Sequence, residues 1–303
     1  MLYYFSPHHG NFGDDLNPWL WPRLAPEVCG AQKPALFLGI GTILNRSVPV
    51  EPLKIVFGSG CSSGRPPEID RTWFFYCVRG PLTAAKLNLP PEFSIADPAI
   101  LSKGFAAAEE RKQFSVSFMP HHQSLLHADW KNLCAREDIH CIDPRFGVEK
   151  TLWEIQQTKL LLTEALHGAI VADALRVPWI PVRLYGNFTE FKWLDFAQSI
   201  NVALKINDVS PVYSEKFLSQ KGITHAFKKT LFHAGLGKEK WKRLTLRASS
   251  ERDIGQTLRA LGALAKTQRP FLSSDKIIRE LEERLLERLD ALRQDWRHGK
   301  FEN

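Results

Sequence analysis

The sequence predicts an α/β protein of two halves, each built around a parallel sheet with flanking helices. Three observations support this fold class: short apolar segments recur along the chain, Gly or Pro turns follow them, and helical patterns separate many of them. In the first half, the predicted strands are residues 2–5, 35–38, 54–57, 72–78 and 93–96, and the predicted helices are residues 16–24 and 81–87.

The second half repeats this pattern. Its predicted strands are residues 114–119, 139–142, 160–162 and 179–182, and its predicted helices are residues 128–136, 148–157 and 169–175. Two similar halves predict a cleft between the carboxyl ends of their sheets, which is where open α/β folds bind ligands. Alanine-rich and charged residues 103–113 separate the halves, so we predict domains at residues 1–107 and 108–207.

A basic, mainly helical region is predicted for residues 208–303. Within it, apolar residues recur at three- and four-residue steps from about residue 275 to residue 297, which is typical of an amphipathic helix. We expect that helix to pack on the body of the protein or on another subunit. Residues 227–247 mix basic and aromatic side chains, so this stretch either contacts anionic lipid headgroups or forms a solvated helical face.

The composition is that of a globular protein with a surplus of basic residues. The chain has 303 residues, which favours two domains. A net charge of +7 and a pI near 9.1 suit an anionic ligand, a nucleic acid or an acidic membrane face. No recognisable nucleic-acid-binding motif accompanies the charge, so we expect no nucleic-acid partner. The five cysteines form no CxxC pair, and we expect reduced thiols and no metal site.

The same sequence favours a cytoplasmic location. No apolar run approaches the roughly 18 to 20 residues that span a bilayer. Residues 1–7 lack the charged start and apolar centre of a signal peptide. Peripheral contact with the inner face of the plasma membrane stays open because of the basic stretch at residues 227–247.

The most informative segment is the junction after the predicted strand at residues 160–162. There a buried strand leads into Thr-Glu-Ala-Leu-His-Gly and then into an alanine-rich helix. His167 would lie at the carboxyl end of a parallel strand and near a helix N-terminus, where exposed N–H groups attract a phosphate or a carboxylate. Gly168 would let the backbone approach that ligand closely. Alternatively, Glu164 and His167 cap the helix or pair with each other.

A second polar segment, His-His-Gly-Asn-Phe-Gly-Asp-Asp-Leu, follows the first predicted strand. Gly10 and Gly13 allow a tight loop, and Asn11 can bond its own backbone. Asp14 or Asp15 would cap the helix predicted from residue 16. Capping needs one carboxylate, so the other could accept hydrogen bonds from a sugar hydroxyl or act as a base. Capping alone remains the alternative for either residue.

Glycine-rich turns follow two more predicted strands, at residues 39–44 and 58–64. Neither turn matches GxGxxG before a helix, so a dinucleotide site is disfavoured. Arg79 ends the strand at residues 72–78 and precedes a proline-started helix. Its guanidinium could bind a phosphate or carboxylate in bidentate fashion, or it could form a surface salt bridge.

Two histidines follow the first strand of the second half. His121 and His122 would point in different directions, and one of them could donate to an anion or act as an acid or base; loop packing is the alternative. No carboxylate or third histidine stands at a metal-binding spacing, which disfavours zinc. Asp97, before Pro98, is expected to stabilise a turn.

Together the segments GNFGDDL, GIGTIL, GSG, VRGPLTA, ADPAIL and LHGAIVADALRVPWIPV resemble the polysaccharide pyruvyltransferase family, most closely its bacterial exopolysaccharide (succinoglycan-like) branch. The resemblance covers about residues 3–199 in motif order. It implies two Rossmann-like domains facing across a cleft, as in GT-B glycosyltransferases, with the acceptor on the first and the donor on the second. The implied donor is phosphoenolpyruvate as a co-substrate, with no further cofactor. The implied acceptor is a hexose of a lipid-linked oligosaccharide, and the product is a cyclic pyruvate ketal.

The resemblance also implies roles for three residues. Asp14 is the candidate base, Arg79 the clamp for a carboxylate or phosphate, and His167 the general acid or phosphate ligand. Many relatives have Arg-Leu-His where this chain has Ala165 before Leu-His. The missing positive charge could come from one of two residues: Arg183 or His121.

Two other functions compete with pyruvyl transfer. A GT-B glycosyltransferase that uses a nucleotide sugar would have the same fold class and a similar cleft. A catalytically inactive binding subunit of a polysaccharide assembly complex is the other alternative, and Ala165 is the main argument for it.

Overall fold

The computed structural model describes residues 1–29, 35–106 and 111–301, and it contains two parallel sheets flanked by helices. The first sheet has the order β1-β2-β3. Its strands are β1 (Ala35–Leu38), β2 (Leu53–Phe57) and β3 (Trp73–Cys77). All of β1 and most of β2 are buried, which explains why these strands appear as continuous apolar runs in the sequence.

The second sheet has the order β5-β4-β6-β7-β8, and its neighbouring strands are also parallel. Its strands are β4 (Ser117–Met119), β5 (His140–Cys141), β6 (Leu161–Thr163), β7 (Trp179–Arg183) and β8 (Asn207–Asp208). The central strands β4 and β6 are fully buried. The predicted α/β class with parallel sheets is therefore confirmed.

Helices connect the strands and form the region after β8. They are α1 (Phe12–Leu24), α2 (Pro26–Cys29), α3 (Pro81–Lys86), α4 (Trp130–Ala135), α5 (Val148–Gln156), α6 (Leu166–Ala174), α7 (Glu190–Ser199), α8 (Glu215–His233), α9 (Glu251–Thr267) and α10 (Asp275–Arg297). Short 3₁₀ helices include Pro91–Phe93, Pro98–Phe105 and Glu239–Arg243.

Two predicted strands of the first half are wrong. In residues 2–5, Leu2 alone forms an isolated bridge, to Phe37, and the chain then leaves the sheet for the surface. In residues 93–96, Ser94 alone bridges to Val78, because two preceding prolines begin a 3₁₀ turn instead. Proline fixes φ and removes a backbone donor, so it suits a turn better than a strand.

Helix α1 begins four residues earlier than predicted, at Phe12 instead of residue 16. Asn11 has extended backbone at the N-cap, and its N–H donates to the Asp15 carboxylate at 3.0 Å. Asp14 and Asp15 both lie in the first helical turn, where the helix dipole favours negative charge. Gly13 is consequently part of the helix and not of a loop.

The amphipathic helix predicted near residues 275–297 is confirmed as α10, which packs on the first half of its own chain. Its buried stripe consists of Ile278, Leu281, Leu285, Leu289, Leu292 and Trp296. Tyr76 of β3 donates a hydrogen bond to Asp295, and Arg293 donates to the Leu24 carbonyl at the end of α1. The predicted boundary between residues 107 and 108 lies outside the described residues.

Candidate active site

Residues from the carboxyl ends of both sheets meet around the ring of His167, in the first turn of α6. The ring lies against Gly13 in the first turn of α1 so closely that a Cβ added at Gly13 would stand 1.9 Å from His167 Nδ1. A side chain larger than hydrogen at position 13 would therefore displace the imidazole. Both Gly13 and His167 were singled out from the sequence. The structure shows why Gly13 matters: it leaves room for the His167 ring.

The other ring nitrogen of His167 faces a buried carboxylate. Nε2 stands 3.5 Å from Oδ2 of Asp97, which is fully buried at the start of a 3₁₀ helix. Within the residues that the structure describes, neither of these two atoms has a hydrogen-bond partner. The predicted turn is present, since Oδ1 of Asp97 accepts from Ala99 N–H at 3.0 Å. Asp97 thus caps that turn with one oxygen and faces His167 with the other.

Asp14 lies beside this pair in the first turn of α1. Its carboxylate accepts a hydrogen bond from the side-chain amide of Asn11. Burial raises the pKa of Asp14, while the Asn11 hydrogen bond and nearby His167 oppose that shift. A carboxylate with a raised pKa is a better proton acceptor than an ordinary aspartate, which suits Asp14 to activate a hydroxyl.

The glycine-rich loop at residues 39–41 is held next to Asp14 by a buried asparagine. Asn17 of α1 accepts from Ile40 N–H at 2.8 Å and donates to the Ile40 carbonyl at 3.0 Å. Gly39 lies against the indole of Trp21, and Gly41 has a φ of +124° that suits glycine. An added Cβ at Gly41 would stand 3.9 Å from Asp14 Oδ1, so this loop borders the candidate base.

Glu164 is buried and ties three loops together. Its carboxylate accepts from Leu184 N–H at 3.0 Å and from His121 N–H at 3.3 Å, so it links the chain after β4, β6 and β7. Burial raises the pKa of Glu164, and these backbone hydrogen bonds oppose the shift. The alternative pairing of Glu164 with His167 is wrong, because the acid that faces His167 is Asp97.

Gly168 has a packing role in the structure. An added Cβ would stand 2.6 Å from Met119 Sδ and 2.8 Å from Thr163 Oγ1, so α6 approaches β4 and β6 closely at this point. Gly168 is buried against protein atoms. Gly168 thus lets a helix approach two strands, and its role toward a ligand stays a prediction.

His121 and His122 lie in the loop after β4, with ring centroids 4.4 Å apart. His121 Nδ1 accepts from Gln123 N–H at 3.3 Å and stands 2.9 Å from the Asn187 amide nitrogen. Because Nδ1 accepts, Nε2 carries the hydrogen of a neutral ring. Burial lowers the pKa of His121 well below its usual value, so this residue is a neutral donor. Burial also lowers the pKa of His122.

Arg79 is fully buried, and each of its three nitrogens donates to protein. Nε donates to Asp195 of α7 at 3.0 Å, and the two terminal nitrogens donate to Thr42 Oγ1 at 2.7 Å and the Cys61 carbonyl at 2.8 Å. Gly60 lies against the guanidinium. The salt bridge considered from the sequence exists, but it is buried, and it supports both glycine-rich loops.

Arg183 is occupied by acidic partners. Its Nε and one terminal nitrogen donate to the two oxygens of Asp208 at 2.7 and 2.8 Å, and Glu190 lies 3.4 Å away. None of these contacts is with Asp14 or the histidines. The structure therefore brings together Asn11, Asp14, Glu164, Gly168, His121 and His167, while Arg79 and Arg183 are engaged elsewhere.

Lys192, in the first turn of α7, is a site residue that the sequence reasoning missed. Its ammonium interacts electrostatically with Asp14 and Arg79, and it lowers the pKa values of His121 and His122. Burial, followed by Arg79, lowers the pKa of Lys192 to about 8, and Asp14 opposes the shift. The available signal was positional: α7 follows β7, and the first turn after a parallel strand commonly reaches a ligand.

The described residues contain neither a metal-binding cluster nor a membrane-spanning helix. Among residues 1–29, 35–106 and 111–301, no group of three His, Cys, Asp or Glu side chains could hold a metal ion. No helix in that part of the chain is long and apolar enough to cross a membrane.

Comparison with known proteins assigns the family. Residues 7–184 match the model of the polysaccharide pyruvyl transferase family. The chain belongs to the polysaccharide pyruvyl transferase family. The match includes Asp14, Asp97 and His167 but ends before Lys192. The family model therefore covers the pair formed by Asp97 and His167, and it does not cover the lysine of α7.

This member of the polysaccharide pyruvyl transferase family is also similar to a curated protein over nearly its whole length. Succinoglycan biosynthesis protein ExoV of Rhizobium meliloti (strain 1021) is 34% identical over 315 aligned positions. These positions cover 97% of this chain and 99% of that protein. The similarity therefore extends through the basic C-terminal region, which the family model leaves out.

Proposed function

We propose that this protein transfers a pyruvyl group from phosphoenolpyruvate to two hydroxyls of a hexose in a bacterial exopolysaccharide repeat unit, forming a cyclic ketal. The carrying observation is the pairing of His167 with Asp97 beside Asp14, in a chain of the pyruvyl transferase family. The similarity to a succinoglycan biosynthesis protein supports an exopolysaccharide acceptor. The acceptor is used as a lipid-linked oligosaccharide, and phosphoenolpyruvate is the only other reactant.

For the architecture, we propose two Rossmann-like domains that face each other across a cleft, in the manner of GT-B enzymes. Residues 1–107 form the acceptor side, residues 108–207 the donor side, and residues 208–303 a basic, mainly helical extension. The convergence of Asp14 from the first half with His167 from the second half supports a reaction centre between them. Ligands of open α/β sheets bind at the carboxyl ends of the strands, where both residues lie.

The reaction needs one protonation and two hydroxyl additions. The methylene carbon of phosphoenolpyruvate takes a proton, and the neighbouring carbon becomes cationic. The first hydroxyl forms a C–O bond to that carbon, the C–O bond to phosphate breaks, and the second hydroxyl closes the ketal. The two hydroxyls release two protons, of which one balances the new methyl group and the other leaves with phosphate. The site must therefore supply an acid, a base and donors for an anion.

The geometry supports the following roles. Asp97 faces Nε2 of His167 at 3.5 Å, and Nδ1 is directed at the first turn of α1, where Asp14 lies. His167 serves as the acid for the methylene carbon, and Asp14 accepts the proton of a hydroxyl. Each acid or base typically contributes about 100- to 10,000-fold to the rate.

The decisive experiment measures phosphate release from phosphoenolpyruvate with a panel of hexosides and lipid-linked oligosaccharides. Acceptor-dependent release, with a product heavier by one pyruvyl ketal, is expected for the wild type. His167→Ala should lower kcat about 100- to 10,000-fold. His233→Ala, on the exposed end of α8, is the matched control and should retain full activity. Turnover of a nucleotide sugar would replace the proposal by glycosyl transfer, and binding without turnover would replace it by an inactive subunit.

We further propose that this protein is cytoplasmic and contacts the inner face of the plasma membrane through α8 and the turn after it. Ile223, Phe227 and Leu236 are 90%, 65% and 78% exposed, and lysines such as Lys228 and Lys229 accompany them. Apolar and basic side chains together favour an anionic lipid surface. Binding to phosphatidylglycerol vesicles should exceed binding to phosphatidylcholine vesicles and should drop in Phe227→Glu. Val50→Glu, an exposed control on the first half, should bind as the wild type does.

A further inference from the structure

We propose that the Lys192 ammonium, which acts electrostatically on His121 and His122, binds an anionic group of the donor. The identity of the donor rests on the proposed function. The site itself rests on the burial of Lys192 and on its charged neighbours in this structure. Its ligand is either the phosphate or the carboxylate of phosphoenolpyruvate, and the experiment below distinguishes the two groups.

The first argument is that, among the described residues, the ammonium has no hydrogen-bond or salt-bridge partner. In the described part of the chain, Lys192 makes no hydrogen bond, salt bridge or ring contact, although it is only partly exposed. A partly buried cation without a partner is costly, because it loses water without gaining an acceptor. An anionic ligand would supply the missing acceptors, as three N–H groups of a lysine can donate to one phosphate or carboxylate.

The second argument is the position of the ammonium between the two halves. Its electrostatic neighbours are Asp14 of α1, Arg79 after β3, and His121 and His122 after β4. It is therefore within electrostatic range of both the candidate base and the loop that bears neutral imidazole donors. A ligand bound by Lys192 would reach residues of both sheets.

The third argument is that other cations near the site are occupied. Arg79 donates from all three nitrogens to protein oxygens, and Arg183 is bound by both oxygens of Asp208. Arg145 donates to both oxygens of Asp143, at 2.9 and 2.6 Å. Lys192 lacks such contacts among residues 1–29, 35–106 and 111–301, so it can bind a ligand without breaking an ion pair there.

The experiment measures the affinity of the full-length protein for phosphoenolpyruvate without acceptor, by isothermal titration calorimetry. A charge-assisted hydrogen bond contributes about 1.5–3 kcal/mol, so Lys192→Ala should weaken binding about 10- to 100-fold. Lys192→Arg should restore most of the affinity. Lys205→Ala is the matched control, because Lys205 is exposed and should leave the affinity unchanged. Circular dichroism spectra will show that each variant is folded.

Titrations with inorganic phosphate and with pyruvate assign the group that is bound. Loss of phosphate affinity in Lys192→Ala places the phosphate at Lys192, and loss of pyruvate affinity places the carboxylate there. Equal affinity of wild type and Lys192→Ala for all three ligands would overturn the inference. Suppose that the wild type binds phosphate but releases none from phosphoenolpyruvate, and that Lys192→Ala does not bind phosphate. The proposed function would then fail, and the anion site would stand.

A second readout follows from the pH dependence. The charge on Lys192 is lost as the pH rises through about 8, so the calorimetric affinity for phosphoenolpyruvate should fall above that pH. His121 and His122 are neutral throughout this range, because burial lowers their pKa values. The other groups that act on Lys192 are Arg79 and Asp14, and burial raises the pKa of Asp14. Lys192→Arg should remove the fall, since arginine stays charged. An unchanged alkaline fall in Lys192→Arg would contradict the assignment to Lys192.

Discussion

The environment of one side chain, His167, accounts for several features of the sequence at the residue scale. Gly13 lacks a side chain where the imidazole lies, and Asp97 supplies a buried carboxylate on the opposite side of the ring. A carboxylate that faces one ring nitrogen can select the tautomer of the imidazole. We therefore propose Asp97 as a positioning residue, since it would act through His167.

Asp97→Asn tests that positioning. Asparagine caps helical turns about as well as aspartate, so folding should be retained, while kcat should fall about 100- to 10,000-fold with the loss of the oriented acid. Steady-state kinetics of Asp97→Asn, His167→Ala and the double variant provide the check. The double variant should be no slower than His167→Ala, because the two residues act as a unit.

Asp129→Asn is the control for the Asp97 variant, because Asp129 caps α4 through Asn132 N–H in an exposed setting. It should retain full activity. Full activity of Asp97→Asn would mean that Asp97 acts only as a cap, and additive losses in the double variant would mean that it acts independently of His167.

Gly13→Ala separates packing against His167 from helix propensity. Alanine should stabilise a helix by about 1 kcal/mol relative to glycine, but at position 13 its Cβ would overlap the imidazole. We expect at least a 100-fold loss of kcat, measured as phosphate release. Gly262→Ala in α9, where a Cβ meets no atom within 4 Å, should keep activity and raise the free energy of unfolding. Full activity of Gly13→Ala would show that the ring can move without consequence.

At the scale of elements, a residue of α7 that is distant in sequence caps the N-terminus of α3. The N-cap of α3 is Gly80, which has no side chain, and Asp195 of α7 accepts from Thr83 N–H at 3.0 Å instead. Gly80 also permits the contact, since an added Cβ would stand 2.2 Å from the Asp195 carbonyl oxygen. The same carboxylate pairs with Arg79, so the α3–α7 junction holds both glycine-rich loops next to the site.

Removing the buried acid should destabilise the protein strongly. Asp195→Ala leaves Arg79 buried without its counter-charge, which typically costs about 3–5 kcal/mol in free energy of unfolding. Urea denaturation checks this value. Glu68→Ala breaks an exposed pair with Arg46 and should cost at most about 1 kcal/mol. Equal, small effects of the two substitutions would refute a structural role for the buried pair.

At the scale of the whole molecule, α10 returns the end of the chain to the first sheet. Phe301, just after α10, packs edge-on against Phe74 of β3, and Arg284 of α10 donates to the Ser94 carbonyl. Helix α10 is therefore part of the core of the protein. This packing of α10 explains its stripe of leucines, which follows a basic, half-exposed segment.

Adjacent leucines of α10 provide a matched test of that packing. Leu285 is fully buried and Leu286 is 42% exposed. Leu285→Ala should lower the free energy of unfolding by about 2–5 kcal/mol because it leaves a cavity. Leu286→Ala should change it by no more than about 0.5 kcal/mol. Urea denaturation curves that coincide for the two variants would contradict the packing of α10 on the first half.

The elements that could be predicted from the sequence are those with a local pattern of residues. Buried strands such as β1 and β6 are continuous apolar runs, α10 has a three- and four-residue apolar period, and the polar loops after strands contain Asp14 and His167. Only the folded chain shows that Asp97 faces His167, that Arg79 is buried against Asp195, and that Lys192 is partly buried near Asp14 and Arg79. These contacts join residues far apart in the chain, and no local pattern records a partner that only folding brings near.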